Sequence, residues 1–169
     1  MTSFVTQVGE GFAGSGADVA HLNTVLGAKG GPVEIAWATA LATPRAGHVP
    51  FVTVLRPNLP VKPLTLFVNK ATIAGDAHAR ITWGAAQAGV AGGVADAVAD
   101  GVITPAAVDD ILLIAAVWVD PDATDEHAIY LNNRAATLSA LSAGRHGLPG
   151  LDDVLAARTS PENPFFAGS

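Results

Sequence analysis

An α/β or α+β domain is the fold class this sequence predicts. Three observations carry that expectation. The 169 residues suit one domain, since single domains run roughly 100–200 residues. Short apolar, strand-like segments are interleaved with stretches of helical character, the mixture that builds layered sheet-and-helix domains. Half of the residues are hydrophobic and 14% are charged, which provides ample material for a core. No internal repeat, linker or second domain is visible, so residues 1–169 read as one domain.

Residues 3–10 and 17–27 read as strands, the second with β-branched and apolar residues in alternation. A glycine-rich turn, Gly11–Gly16, separates them. After Gly30 and Gly31, Pro32 opens a helix through Leu41 as its first-turn proline. Residues 43–50 are loop, and Phe51–Leu55 is a short strand. Pro57, Pro60 and Pro63 then forbid regular structure in the stretch from Arg56, which is either an ordered or a disordered loop.

Leu64–Ile73 is the next strand. From Asp76 to Asp100 the pattern is helical, with Asp76 as N-cap and Gly101 as stop. Gly84, Gly89, Gly92 and Gly93 fit either a close approach of another backbone or a break near Gly84. Thr104 and Pro105 cap one short turn, and the apolar run Ile111–Val119 is a strand buried on both faces. Thr124, followed by Asp125 and Glu126, opens a last helix to Ala143. Phe165 and Phe166 in the tail require burial in this chain or in a neighbour.

Composition excludes several functions. Without cysteine there is no disulfide framework, thiolate metal site or cysteine nucleophile. Nine basic against 15 acidic residues argue against a nucleic-acid surface. The run Ile111–Val119 is about half the length of a membrane helix. The first ten residues lack a signal-peptide pattern, so the expected compartment is the cytoplasm. The charged fraction lies well below the ~25% of an average domain, which points to surface hidden against other copies.

Gly9, Gly11 and Gly14 match a dinucleotide-binding spacing, but the chain continues as a strand where a phosphate site needs a helix start. The P-loop, the nucleophile elbow and the paired zinc histidines are absent, and no metal site is expected. His21 and Asn23, two apart on a strand, project from one face about 6–7 Å apart. Lys70 and Thr72 share that spacing on the later strand. A histidine on an apolar strand is most often structural. A lysine there is either an edge charge or a paired functional group.

Five segments appear in order: Val8–Gly11, Asp18–Asn23, Pro57–Pro63, Asn69–Ile73 and Trp83–Gly89. They are followed by Gly89–Gly101 and the ending Asn163-Pro-Phe165. Together they resemble the formaldehyde-activating enzymes of methylotrophs and methanogens, which condense formaldehyde with tetrahydromethanopterin. The resemblance covers nearly the whole chain. It implies an α+β sandwich like domain 2 of ribosomal protein S5, with a left-handed βαβ crossover, assembled as a homopentamer whose pocket lies between subunits.

It further implies that His21 is the acid–base residue, that Asn23, Val52, Lys70, Thr72 and Gln87 contact the pterin, and that tetrahydromethanopterin is a co-substrate with no metal or other cofactor. Formaldehyde and a reduced pterin are then the ligands, with no nucleic-acid or membrane partner, in one-carbon metabolism and formaldehyde detoxification. Three departures stand out. Asn23 occupies the place of a carboxylate in the family's His-x-Asp, Val52 that of a leucine, and Ala85 and Ala88 replace a proline and a histidine. The alternative that Asn23 and the altered Trp83–Gly89 segment suggest is a non-catalytic paralogue that binds or senses formaldehyde or a pterin.

Overall fold

A computed structural model describes residues 4–167 and has the α+β architecture. Five strands form one mixed sheet: β1 (Gln7–Ala13), β2 (Ala20–Ala28), β3 (Phe51–Val52), β6 (Leu64–Asn69) and β7 (Ile111–Trp118). Their order is β1-β2-β7-β6-β3, antiparallel except for the β6–β7 pair. A separate two-stranded ribbon pairs β4 (Val54–Arg56) with β5 (Leu59–Pro60). The helices are α1 (Pro32–Ala42), α2 (Asp76–Arg80), α3 (Gln87–Ala99), α4 (Glu126–His146) and α5 (Leu151–Ala157).

One face of the sheet is closed by α3 and α4. Leu22, Leu26, Phe67, Leu113, Ala115 and Val117 meet Val90, Val94, Ile129, Ala136 and Leu141 in a continuous core. Each large side chain buried there contributes roughly 1.5–3 kcal/mol. Between α3 and α4, a Cβ on Gly89 would lie 2.4 Å from the carbonyl oxygen of Tyr130, and one on Gly93 would lie 2.5 Å from that of Arg134. These glycines therefore serve close backbone approach, one of the two expected uses. The other, a break near Gly84, is also present, as a π-helical segment Ile81–Ala86 joining α2 to α3.

The opposite face is covered only in part. Val33 of α1 packs where Gly27 of β2 leaves room, so α1 shields one end of it. At the other end β7 is half-exposed at Ile114, Ala116 and Trp118, which corrects the expectation that Ile111–Val119 is buried on both faces. That open end holds the site.

Other boundaries move for physical reasons. The first strand continues through Gly11 to Ala13, where a turn was expected, because Gly9 and Gly11 let β1 lie directly on α4. Ser3, the first residue of that expected strand, lies outside the described residues. The second strand starts at Ala20, after a short 3-10 turn over Gly16–Asp18. The proline-rich stretch contains the short strand β5, turned at Asn58 with φ of 64°, a conformation asparagine tolerates. The β6 strand ends at Asn69, so Lys70 and Thr72 lie beyond it. Gly75, not Asp76, is the N-cap of α2, and Gly101 ends the long helix at φ of 74° as expected. The α4 cap is Asp125, whose carboxylate accepts from the N–H groups of His127 and Ala128 at 3.0 Å. Thr124 instead donates its N–H to Asp18, and α4 runs three residues past Ala143, to His146. Phe165 and Phe166 are mostly exposed within this chain, although Phe165 stands edge-on to Trp118.

Candidate functional site

Strand alternation decides which side chains meet on the open face. Cross-strand register sets Phe12 opposite His21, and His21 opposite Trp118. Glu10 lies opposite Asn23, Asn23 opposite Ala116, and Ala116 opposite Val68. Gly9 and Gly11 point the other way, into α4, so Glu10 and Phe12 must face the open side. Lys70 follows β6 and is tied to β7 by its N–H, which donates to the Val117 carbonyl at 2.8 Å.

Three contacts organise the site. The Lys70 Nζ donates to Asn23 Oδ1 at 2.7 Å. His21 Nε2 lies 3.3 Å from Glu10 Oε1. The His21 ring stacks on Phe12, with centroids 3.9 Å apart and planes within 6°. Burial pushes the imidazole below its ordinary pKa. The Glu10 carboxylate raises it again and the Lys70 ammonium lowers it. The asparagine amide thus keeps the acceptor that Lys70 needs, although not the charge that an aspartate would carry.

The expected site residues fall into two groups. His21, Asn23 and Lys70 come together. Val52 pairs with Leu66 at the edge of the same sheet. Thr72 is held elsewhere, by His48: the His48 Nδ1–H donates to the Asn69 carbonyl at 2.9 Å, leaving Nε2 to accept from the Thr72 hydroxyl at 3.1 Å. Gln87, at the start of α3, accepts the Val54 N–H through Oε1 at 2.7 Å. That bond fastens α3 to the β4–β5 ribbon and keeps Gln87 out of the His21 cluster.

Sequence reasoning missed Glu10, Phe12 and Trp118. Glu10 and Phe12 alternate with Gly9 and Gly11, a strand pattern obscured by reading residues 11–16 as a turn. Trp118 is the last residue of β7 and becomes a site neighbour only through register.

A second cleft, about 590 Å³, lies on the helical side between the end of α3 and α4, lined by Val102, Leu138 and Leu148. Asp100 is its one ionisable group, so it lacks the paired titratable groups found around His21. Among the described residues no three metal-ligating side chains come together, and no helix is long and apolar enough to cross a membrane.

Comparison with known proteins matches residues 8–166 to the family described as Formaldehyde-activating enzyme. The chain is 44% identical over 160 residues to a protein of Methanosarcina barkeri named 5,6,7,8-tetrahydromethanopterin hydro-lyase, covering 95% of this chain and 90% of that one. It is 42% identical over 149 residues to a protein of Methanosarcina mazei named Bifunctional enzyme Fae/Hps, and 40% identical over 159 residues to one of the same name from Archaeoglobus fulgidus. Those matches cover 88% and 94% of this chain, which spans only 38% and 40% of the bifunctional proteins.

Proposed function

The chain belongs to the formaldehyde-activating enzyme family, and on that premise we propose that it condenses formaldehyde with tetrahydromethanopterin to give methylene-tetrahydromethanopterin and water. It is then a carbon–oxygen lyase. The observation that carries the reading is the cluster of His21, Asn23 and Lys70 on the open face, an imidazole set between a fixed ammonium and the Glu10 carboxylate.

The chemistry asks little of a protein. A pterin nitrogen adds to formaldehyde, and its proton ends on the new hydroxyl of a carbinolamine. His21 protonates that hydroxyl, water departs, and an iminium forms. The second pterin nitrogen closes the ring and its proton returns to the imidazole, so both N–H protons leave with the formaldehyde oxygen as water. Orientation supplies proximity, and one positioned acid supplies about 10²–10⁴-fold.

In this reading Asn23, Lys70, Val52, Thr72 and Gln87 hold the pterin. Within one chain Thr72 and Gln87 are tied away from His21, and a homopentamer with its pocket between subunits reunites the two groups. The apolar side chains left exposed on α1 and α5, Ile35 and Leu151 among them, support such an assembly. The same reading brings the S5-like fold with its left-handed crossover, a cytoplasmic setting, and a place in methylotrophic one-carbon metabolism and formaldehyde detoxification.

The direct test mixes the purified protein with formaldehyde and tetrahydromethanopterin and follows methylene-pterin formation. A rate above the spontaneous one is expected. A rate equal to the blank, with pterin still bound, would favour the second reading, a non-catalytic binder or sensor, which Asn23 motivates.

Asn23→Asp separates the two further. A carboxylate there pairs with Lys70 and offsets its push on His21, so more imidazolium survives near neutral pH. The expected result is a faster condensation, measured in the same assay. No change in rate would argue that position 23 does not govern the proton donor.

A further inference from the structure

We propose that Glu10 is the positioning residue for His21: it holds Nε2–H from the neighbouring strand, supplies the negative charge that Asn23 lacks, and leaves Nδ1 as the nitrogen that gives and takes the proton. The proposal rests on the hydro-lyase reading for the reaction served, but the coupling between the two side chains stands on geometry alone.

Glu10 faces Asn23 across the β1–β2 ladder, and its side chain reaches diagonally to His21, where Oε1 lies 3.3 Å from Nε2. Asn23 is not available for that task, because its Oδ1 is engaged by Lys70. Phe12, stacked flat on the ring, fixes the imidazole plane, so only a half-turn of the ring within that plane would carry Nε2 away from Glu10. Gly9 and Gly11, pressed against α4, keep the register of β1 and thereby the direction of Glu10. A carboxylate that takes one imidazole N–H fixes the tautomer and stabilises the imidazolium, while the other nitrogen is free to work.

The charged groups acting on the ring are Glu10 from β1 and Lys70 beyond β6. Strand β2 contributes the neutral Asn23, and β7 contributes Trp118. Glu10 therefore opposes both burial and Lys70. Without it the imidazolium is lost at lower pH.

The experiment is an NMR titration of His21 in the intact protein and in Glu10→Gln, with Lys70→Met as the opposite control. In the unsubstituted protein the neutral ring is expected to carry its proton on Nε2. Glu10→Gln is expected to lower the His21 pKa, and Lys70→Met to raise it. Condensation by Glu10→Gln should fall roughly 10–100-fold, with its decline toward high pH moved to lower pH. Identical His21 titration in the intact protein and Glu10→Gln would overturn the proposal, as would a neutral ring protonated on Nδ1. The titration reads Glu10 even in a protein that catalyses nothing, so a shifted pKa without any condensation would sink the enzymatic reading and leave the coupling intact.

Discussion

His21→Ala is expected to lower the catalysed condensation by about 10²–10⁴-fold, the usual contribution of a positioned general acid. The leaving group in the dehydration step is hydroxide unless something protonates it, and His21 is the titratable ring of the open-face cluster. Its fraction in the acid form sets the rate. Because burial lowers its pKa below 6.5, the imidazolium is lost as pH rises through that lowered value, and the rate above the blank should decline with it. The side chain is 28% exposed, so its removal takes away one stacking partner of Phe12, worth about 0.5–1.5 kcal/mol, and leaves the core untouched. Rate loss with retained folding is thus the expected signature, read by methylene-pterin formation and by a thermal melt of the same sample. A His21→Ala protein as fast as the original would remove the imidazole from the mechanism.

Much of this arrangement is legible in the residues. The apolar run from Ile111, the Pro32 helix and the long glycine-bearing helix ending at Gly101 follow from local chemistry, because each is decided by neighbours in sequence. His21 and Asn23 share a face for the same reason. Other features depend on partners distant in the chain. Gly11 looks like the start of a turn until α4 is seen to lie against it and against Gly9. Lys70 reads as a strand residue, yet β6 ends one position earlier, where the Asn69 amide donates to the Gly47 and Ala71 carbonyls. Gln87 could not be assigned to the β4–β5 ribbon from sequence, since its partner, the Val54 N–H, is 33 residues away. Glu10 was invisible for a related reason: its importance comes from a diagonal cross-strand contact, and register is a property of the sheet.

Gly9→Ala is expected to be the most damaging glycine-to-alanine substitution among the described residues. A Cβ at residue 9 would fall 1.8 Å from the Ala140 carbonyl oxygen and 2.6 Å from its carbon, both backbone atoms in the middle of α4. Neither can move without shifting a 21-residue helix that also packs on α3. Gly11 meets the Ala136 carbonyl oxygen at 2.2 Å in the same way, one helical turn along. Overpacking of this kind costs about 1–3 kcal/mol and more where backbone must yield. Against a total stability of about 5–15 kcal/mol, a loss near the top of that range is readily measured. The denaturation midpoint of Gly9→Ala should fall sharply, whereas Gly84→Ala, which meets nothing within 4 Å, should hold or raise it. The two substitutions add the same methyl group, but α4 stands in its way only at residue 9, while residue 84 lies in a helical segment where alanine is the better former. Equal midpoints would mean that β1 does not lie on α4 as closely as described. If β1 is displaced, Glu10 moves with it, and any folded Gly9→Ala protein should also show His21 titrating at lower pH. Stability and proton chemistry would then fail together, because one strand serves both, with glycines on its helix side and the carboxylate on its open side.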